Sequence, residues 1–320
     1  MASDLVNLTD KAAKLSIEPL FNTNWSDMPD DIKLECIGKM EFKERLSLRS
    51  TAKAERSLVD SQKIKFNYGH FWADYKCLAF GLYHNNKKYF ATKCSEDISD
   101  VIEMFRYIKK IGVFEKLIIS VNSPLLADNK QFMTDDELFT AKNIEFNVFN
   151  RDQVVAVLRK MKNGVESIKI NSTLSNELGQ ILEIPLVQNV PYWHIRDYHH
   201  TDSVHKVAQM WIDKNSKIGF TFQFSVHGEN GSSEKFFEQF ADRIMSTSEK
   251  RVRIRTNNPD RHILLERGLD DVFTIYQYFR IMVISAEMKE SEYDDNCKEW
   301  ICKIDPVLHF MYYSDYNHGR

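Results

Sequence analysis

Asp202–Ser225, DSVHKVAQMWIDKNSKIGFTFQFS, contains one change of pattern on which the reading of the fold turns. Up to Asp213 the apolar Val204, Val207, Ala208, Trp211 and Ile212 recur at three and four residues, which is one face of an α-helix. Past the polar Lys214–Lys217, the run Phe220–Ser225 is short, aromatic and β-like. A helix is thus followed at once by a strand. Similar β-like runs stand at Leu117–Ser120, Ile144–Phe149, Ser167–Ile170, Trp193–Arg196, Val252–Arg255 and Ile281–Ile284, with centres about 22 to 31 residues apart.

Helical patterns fill most of the intervals. Asp152–Met161 carries Val154, Val155, Val157, Leu158 and Met161, and Glu234–Met245 carries Phe236, Phe237, Phe240, Ala241 and Ile244. Pro259–Leu269, with Pro at its start and Gly268 near its end, reads as another helix. Upstream, Lys76–His84 and Lys87–Lys93 flank Asn85-Asn86 as a hairpin, and Asp97–Ile111 is an amphipathic helix stopped by Gly112. Strand, helix, strand at such spacing favours parallel strands with helices as crossovers. The expectation is an α/β fold: a curved, largely parallel repeat domain resembling an irregular leucine-rich-repeat horseshoe without its leucine ladder. A closed sheet or a compact sandwich is the alternative.

Composition bounds what such a chain can do. Its 320 residues hold 43 Lys and Arg against 46 Asp and Glu, a formal charge of -3, which removes the electrostatic case for nucleic acid or an anionic membrane as main partner. At 43% hydrophobic residues the chain has the material for a core. Five scattered cysteines suit a reducing compartment. Met1–Leu20 lacks the basic start and apolar run of a secretory signal, and no window approaches the roughly 18 to 20 apolar residues of a membrane span. A cytoplasmic or nuclear protein is expected.

Residues 1–23 read as a flexible N-terminal arm, and the texture then changes at Trp25–Lys53, WSDMPDDIKLECIGKMEFKERLSLRSTAK. Ser26 or Asp27 can cap a helix, Pro29 fits a first turn, and Asp30 and Asp31 suit the positive end of a helix dipole. Ile32, Ile37 and Met40 make one apolar stripe, ended near Gly38, and Phe42, Leu46, Arg49 and Ala52 mark a second helix. Leu58–Asn67 then looks like a linker. Two short helices cannot bury both stripes alone, so part of that surface awaits cover from the chain or from a partner.

This segment resembles the F-box, with Met28-Pro29 in the place of the usual Leu-Pro, then Ile32, Ile37, Met40, Phe42, Glu44-Arg45-Leu46, Leu48-Arg49 and Ala52-Lys53. The resemblance implies a helical domain over residues 24–66 that binds the Skp adaptor of a Skp-cullin-F-box ubiquitin ligase and, through it, a cullin. It implies that Met28 and Pro29 form a turn in an apolar cleft, that Ile32, Leu34, Ile37, Met40, Leu46 and Leu48 supply the apolar contact, and that Arg49 serves its rim. The rest, 67–320, is similar to the substrate-recognition region behind the F-box in the large nematode F-box families. Val207–Ile212, Lys217–Phe222, Lys250–Asn258 and His262–Gly268 carry that likeness, which implies a non-catalytic module for an unknown protein target.

Within Lys250–Arg255, Arg251, Arg253 and Arg255 are two apart and would line one sheet face toward an acidic target; the same alternation equally describes a half-solvated strand. His194, His199, His200 and His205 lack thiolate or carboxylate ligands at metal-binding spacing, so neither metal nor cofactor is expected. No G-x-S-x-G, P-loop or G-x-G-x-x-G occurs, and the glycine-rich His227–Ser233 has no lysine at a P-loop position. The reading is therefore a substrate adaptor and not an enzyme. The alternatives are an α/β enzyme with an unrecognised site and an interaction module outside ubiquitin ligation.

Overall fold

The computed structural model describes residues 24–73, 77–84, 87–94, 99–121, 138–148, 151–171, 178–196, 204–227, 234–268, 276–293 and 297–306. The arm at 1–23, the turn Asn85-Asn86, His199, His200 and the loop at 228–233 lie outside them. The chain divides into two compact units, the first ending at Lys63 and the second beginning at Ile64.

Among its described residues the first unit has three α-helices where the sequence pattern suggests two. A 3-10 turn at Trp25–Asp27, closed by Asn24, leads to α1 (Asp30–Lys39). Pro29 is the capping residue of α1 and stands just before its first turn, with Asp30 and Asp31 inside that turn. Helix α2 (Phe42–Thr51) starts in a capping box in which Glu41 N donates to Glu44 Oε2 at 2.7 Å. The supposed linker holds the last turn of α3 (Lys53–Ser61). Ile37, Phe42 and Val59 are buried.

The second unit holds one mixed sheet of twelve strands among the described residues. It opens with β1 (Ile64–Ala73), β2 (Cys77–His84) and β3 (Lys87–Cys94), an antiparallel set. Helix α4 (Ser99–Ile111) returns the chain to β4 (Gly112–Val121), which lies parallel to β1. Then come β5 (Thr140–Val148), α5 (Arg151–Arg159), β6 (Ser167–Asn171), the short α6 (Gly179–Leu182), β7 (Tyr192–Arg196), α7 (Val204–Asp213) and β8 (Thr221–His227). The neighbouring pairs β1-β4, β4-β5, β5-β6, β6-β7 and β7-β8 are parallel. Each step from β4 to β8 moves in one direction across the sheet, so right-handed crossovers bring their helices to a single face. That face is apolar: Leu117, Ile119, Ile144, Phe146, Ile168, Ile170, Trp193, Ile195, Phe222 and Phe224 are buried on it, and α4 lays Phe105 against Phe71 at 4.6 Å.

Beyond β8 the expected repeat fails. Helix α8 (Glu234–Gln239) is shorter than its apolar pattern, because Ile244 begins a strand, β9 (Ile244–Thr247). β10 (Arg251–Arg255), β11 (Arg261–Arg267) and β12 (Tyr276–Ser285) follow antiparallel, in the sheet order β8-β12-β11-β10-β9, and α9 (Cys297–Ile304) closes the described chain. The helix expected at Pro259–Leu269 is strand β11: Ile263, Leu264 and Leu265 are buried in succession, a run whose period does not separate helix from strand. Six of the eleven strand pairings are antiparallel, so the sheet is mixed and not largely parallel. The even spacing misleads because β9 follows the short α8 in the interval before β10, and β11 fills the interval before β12 where a crossover helix was expected.

Candidate interaction surfaces

In the helical unit three basic side chains are committed internally, and their placement determines which apolar groups face outward. Arg45, 5% exposed, donates to Met40 O at 3.2 Å and Gly38 O at 3.0 Å, closing the C-terminal end of α1 where carbonyls lack helical partners. Arg49 on α2 binds Asp60 on α3 at 2.7 Å. Lys33 lies 3.6 Å from Glu55, with its ammonium over the Trp25 ring at 6.0 Å. With α1, α2 and α3 tied this way, Ile32 is left 44% exposed, Pro29 is exposed, and Met28, Leu34, Met40, Leu46 and Leu48 are half-buried.

Two residues expected at this surface are elsewhere. Ile37 has no exposed area, because it faces inward from α1 and belongs to the core of the unit. Arg49 is paired with Asp60, one residue before the end of α3, and so ties the two helices together. The sequence reading overlooked Asp60 because it lay in the supposed linker.

The second unit presents a different surface. Opposite its apolar face, residues two apart form polar rows across the parallel strands. One row runs His70, Ile118, Glu145, Lys169, His194, Gln223, Arg280, Glu266 and Arg251 through successive register pairs. Its neighbour runs Trp72, Ser120, Asn147, Asn171 and Arg196. Hydrogen bonds join the rows, His70 Nε2 to Ser120 Oγ at 2.9 Å and Asn171 Nδ2 to Glu145 Oε1 at 2.9 Å, and within the second row Asn171 Nδ2 donates to Asn147 Oδ1 at 3.0 Å. Lys116 pairs with Glu145 at 2.8 Å, whereas Lys169 has no carboxylate within 4 Å among the described residues.

His194 sits beside Lys169 and is 1% exposed, with neither ring nitrogen hydrogen-bonded. Burial, reinforced by the positive charges of Lys169 and Arg196, pushes its pKa down to about 3, so the ring is neutral. Burial likewise pushes the Tyr192 hydroxyl up to about 12, and that hydroxyl donates to Gln223 Oε1 at 2.7 Å. Helix α9 covers this polar face at β7 and β8, with Asp305 accepting from Arg196 at 3.3 Å and from the Tyr278 hydroxyl at 3.3 Å. From β1 to β6 most of the polar side chains keep part of their surface in solvent.

The arginine strand is built inward. Arg253, 9% exposed, gives all five N–H groups to neutral acceptors: His262 Nδ1 at 2.8 Å, Met288 O at 2.6 Å, Tyr293 Oη at 2.9 Å, Ser285 O at 3.2 Å and Ala286 O at 2.7 Å. It organises the chain that follows β12 and is withdrawn from the expected target-facing row. Arg251 binds Glu266 at 2.9 Å, and Arg255, exposed, donates to Asp242 O at 2.8 Å. The residue that sequence reasoning missed is Arg280, whose sole signal was a guanidinium amid the apolar run of β12. It shares Glu266 with Arg251 and stacks over Trp300 at 5.1 Å.

Beside Arg280 lies a cavity of about 630 Å³, lined by Leu264, Met282, Ile284, Met288, Tyr293 and the exposed Ile218, among others. No group of three His, Cys, Asp or Glu residues positioned to hold a metal occurs among the described residues.

Residues 25–67 match the F-box domain model, a span that covers the 3-10 turn, all three helices and the first residues of β1. No curated protein matches the chain.

Proposed function

We propose that this protein is a substrate-recognition adaptor of a Skp-cullin-F-box ubiquitin ligase, acting in the cytoplasm or nucleus. F-box domains bind the Skp subunit of such ligases, and the reading rests on one observation: within the matched residues an apolar surface that includes Ile32, 44% exposed, and the half-buried Met28 and Leu34 keeps part of its area in solvent, while Ile37, Phe42 and Val59 are buried. Burying such a patch in an apolar cleft supplies association energy at about 25 cal/mol per Å² before the costs of binding. Pro29, exposed beside Met28, keeps the approach to α1 stiff.

The unit at 64–320 then presents a target. Its resemblance to the region behind the F-box in nematode F-box families favours a protein target over a small metabolite. No step of bond chemistry is assigned to this chain. Its contribution is effective concentration: a lysine of the bound target is held near a ubiquitin carrier brought by the other subunits, and the encounter becomes nearly intramolecular.

Co-purification of the full chain with a Skp subunit tests this. Ile32→Glu and Met28→Glu place charges on already exposed or half-exposed positions, so the variants keep their fold and lose capture. Capture that survives both substitutions refutes the assignment.

A further inference from the structure

The polar side of the sheet carries a trough with an excess of positive charge at one end. Its floor is the row Trp72, Ser120, Asn147, Asn171 and Arg196, in which three short side chains separate two long ones. At the far end Lys169, the register partner of His194, stands two residues before Asn171 on β6, diagonal to Arg196 on β7 and about 8 Å from it. The positive charges of both reach the His194 ring, which is neutral and offsets neither. The carboxylates in contact with this corner, among the described residues, are already engaged. Glu145 is held by Lys116 at 2.8 Å and by Asn171 Nδ2 at 2.9 Å, and it lies beyond ion-pair distance of Lys169. Asp305 accepts one bond from Arg196, at 3.3 Å and through Nη2 alone, and another from the Tyr278 hydroxyl. Glu115 and Glu299, farther off, are ion-paired with Lys142 and Lys303. Lys116, Lys169 and Arg196 thus stand against two carboxylates, with Lys169 half-buried and the Arg196 side chain 38% exposed. Partly desolvated cations in excess favour an anionic group from outside.

The other end of the trough limits what carries that anion. Trp72 leans over β2, where a Cβ on Gly81 would meet its ring at 3.8 Å, and its indole lies 5.0 Å from the His70 ring. A half-buried indole on an otherwise polar face offers an apolar seat. Three to four strand steps of about 4.8 Å separate it from the Lys169–Arg196 corner, a span of about 17 Å, which is the length of about five residues of extended chain. Between the two ends, Ser120, Asn147 and Asn171 present hydroxyl and amide groups of the kind that bond a peptide backbone. An excess of one charge matches one carboxylate and falls short of the several phosphate contacts from which nucleic-acid binding draws its affinity. We propose that this trough receives an extended segment of a target protein lying across the strands, with an Asp or Glu carboxylate between Lys169 and Arg196 and an apolar side chain about five residues away against Trp72. The proposal rests on the reading of residues 64–320 as the target-binding unit and specifies the chemistry that unit would recognise.

Selection of a phage-displayed library of random dodecapeptides on the purified full chain, without any Skp subunit, tests it. Enriched peptides are expected to carry Asp or Glu with an apolar or aromatic residue about four to six positions away. The leading sequence, made as a labelled synthetic peptide, should lose at least about tenfold in affinity by fluorescence anisotropy when its acidic residue is replaced by the corresponding amide, since charge-assisted hydrogen bonds are the stronger ones. Lys169 has no ion pair among the described residues, so Lys169→Glu leaves the fold intact. It should abolish binding of that peptide, and selection repeated on the variant should enrich Lys or Arg in place of the acid. Trp72→Ala, at the opposite end, should weaken binding about tenfold. Enrichment of no sequence, enrichment without acidic residues, or binding that survives Lys169→Glu overturns the proposal. So does a labelled uridine decamer that binds the full chain more tightly than the peptide and is lost on Lys169→Glu, which would assign the trough to single-stranded nucleic acid. Failure here leaves Skp capture untouched, and failure of Skp capture leaves this result standing.

Discussion

Arg49 and Asp60 face each other across α2 and α3, Nε to Oδ1 at 2.7 Å and Nη2 to Oδ2 at 3.5 Å, with side chains 18% and 14% exposed. A two-point ion pair so far out of solvent stabilises the helix pair because removing one member takes a charge-assisted hydrogen bond from the other. Asp60→Ala should cost about 1–3 kcal/mol, seen as lost hydrogen-exchange protection over residues 42–61. Capture by a Skp subunit should fall in parallel. Had Arg49 served the partner, freeing it would leave capture unchanged or stronger.

Ile37 and Ile32 separate stability from binding within one helix. Ile37 is fully buried, so Ile37→Ala should destabilise the helical unit by about 2–4 kcal/mol through the cavity it leaves. Residual folded protein should still bind the Skp subunit with unchanged affinity. Measuring capture against the folded fraction checks this, and Ile32→Glu should give the opposite pattern.

Two glycines predict substitutions of opposite sign. A Cβ on Gly38 meets nothing within 4 Å, and the residue lies inside α1. Gly38→Ala should therefore stabilise the unit by about 0.5–1 kcal/mol. At Gly112, where α4 turns directly into β4, a Cβ would stand 2.6 Å from the Ile108 carbonyl oxygen and 2.7 Å from Phe114. Because the first obstacle is backbone, Gly112→Ala should cost about 1–3 kcal/mol. Thermal unfolding of both variants decides the matter.

The buried, neutral His194 makes the sheet acid-sensitive. An unfolded chain takes up a proton near pH 6.5, whereas the folded imidazole takes one only near 3, so protonation favours the unfolded state below about pH 6.5. Stability should decline toward pH 3 by about 1.4 kcal/mol per pH unit from this residue and should not depend on it above pH 7. His194→Phe keeps the ring volume and removes two unsatisfied buried nitrogens. Its acid limb should be flatter than that of the parent when urea midpoints are compared from pH 7 to pH 4, and an identical limb would contradict the account.

The sequence alone was sufficient wherever the determinants were local. Capping and spacing around Asp30–Lys39 and Phe42–Thr51 marked the first two helices of the F-box, and the apolar periods at Ser99–Ile111, Arg151–Arg159 and Val204–Asp213 marked crossover helices, because a helix stripe or a strand run is set by residues within a few positions of one another. It failed at β11, where three buried apolar residues in a row carry no period, and at α3, whose Leu58, Val59 and Asp60 make sense only against α2.

Tertiary structure decided which polar side chains are available. Arg49, Arg251 and Arg253 look alike in sequence as exposed cations, yet Asp60, Glu266 and the carbonyls of Ser285–Met288 engage them from 11 to 35 residues away. Arg280 is the reverse, a cation hidden in an apolar strand that borders a cavity. Charge in a chain is fixed by composition, but whether it reaches solvent depends on partners that only folding brings near, since desolvation and pairing act over a few ångströms of space and not of sequence.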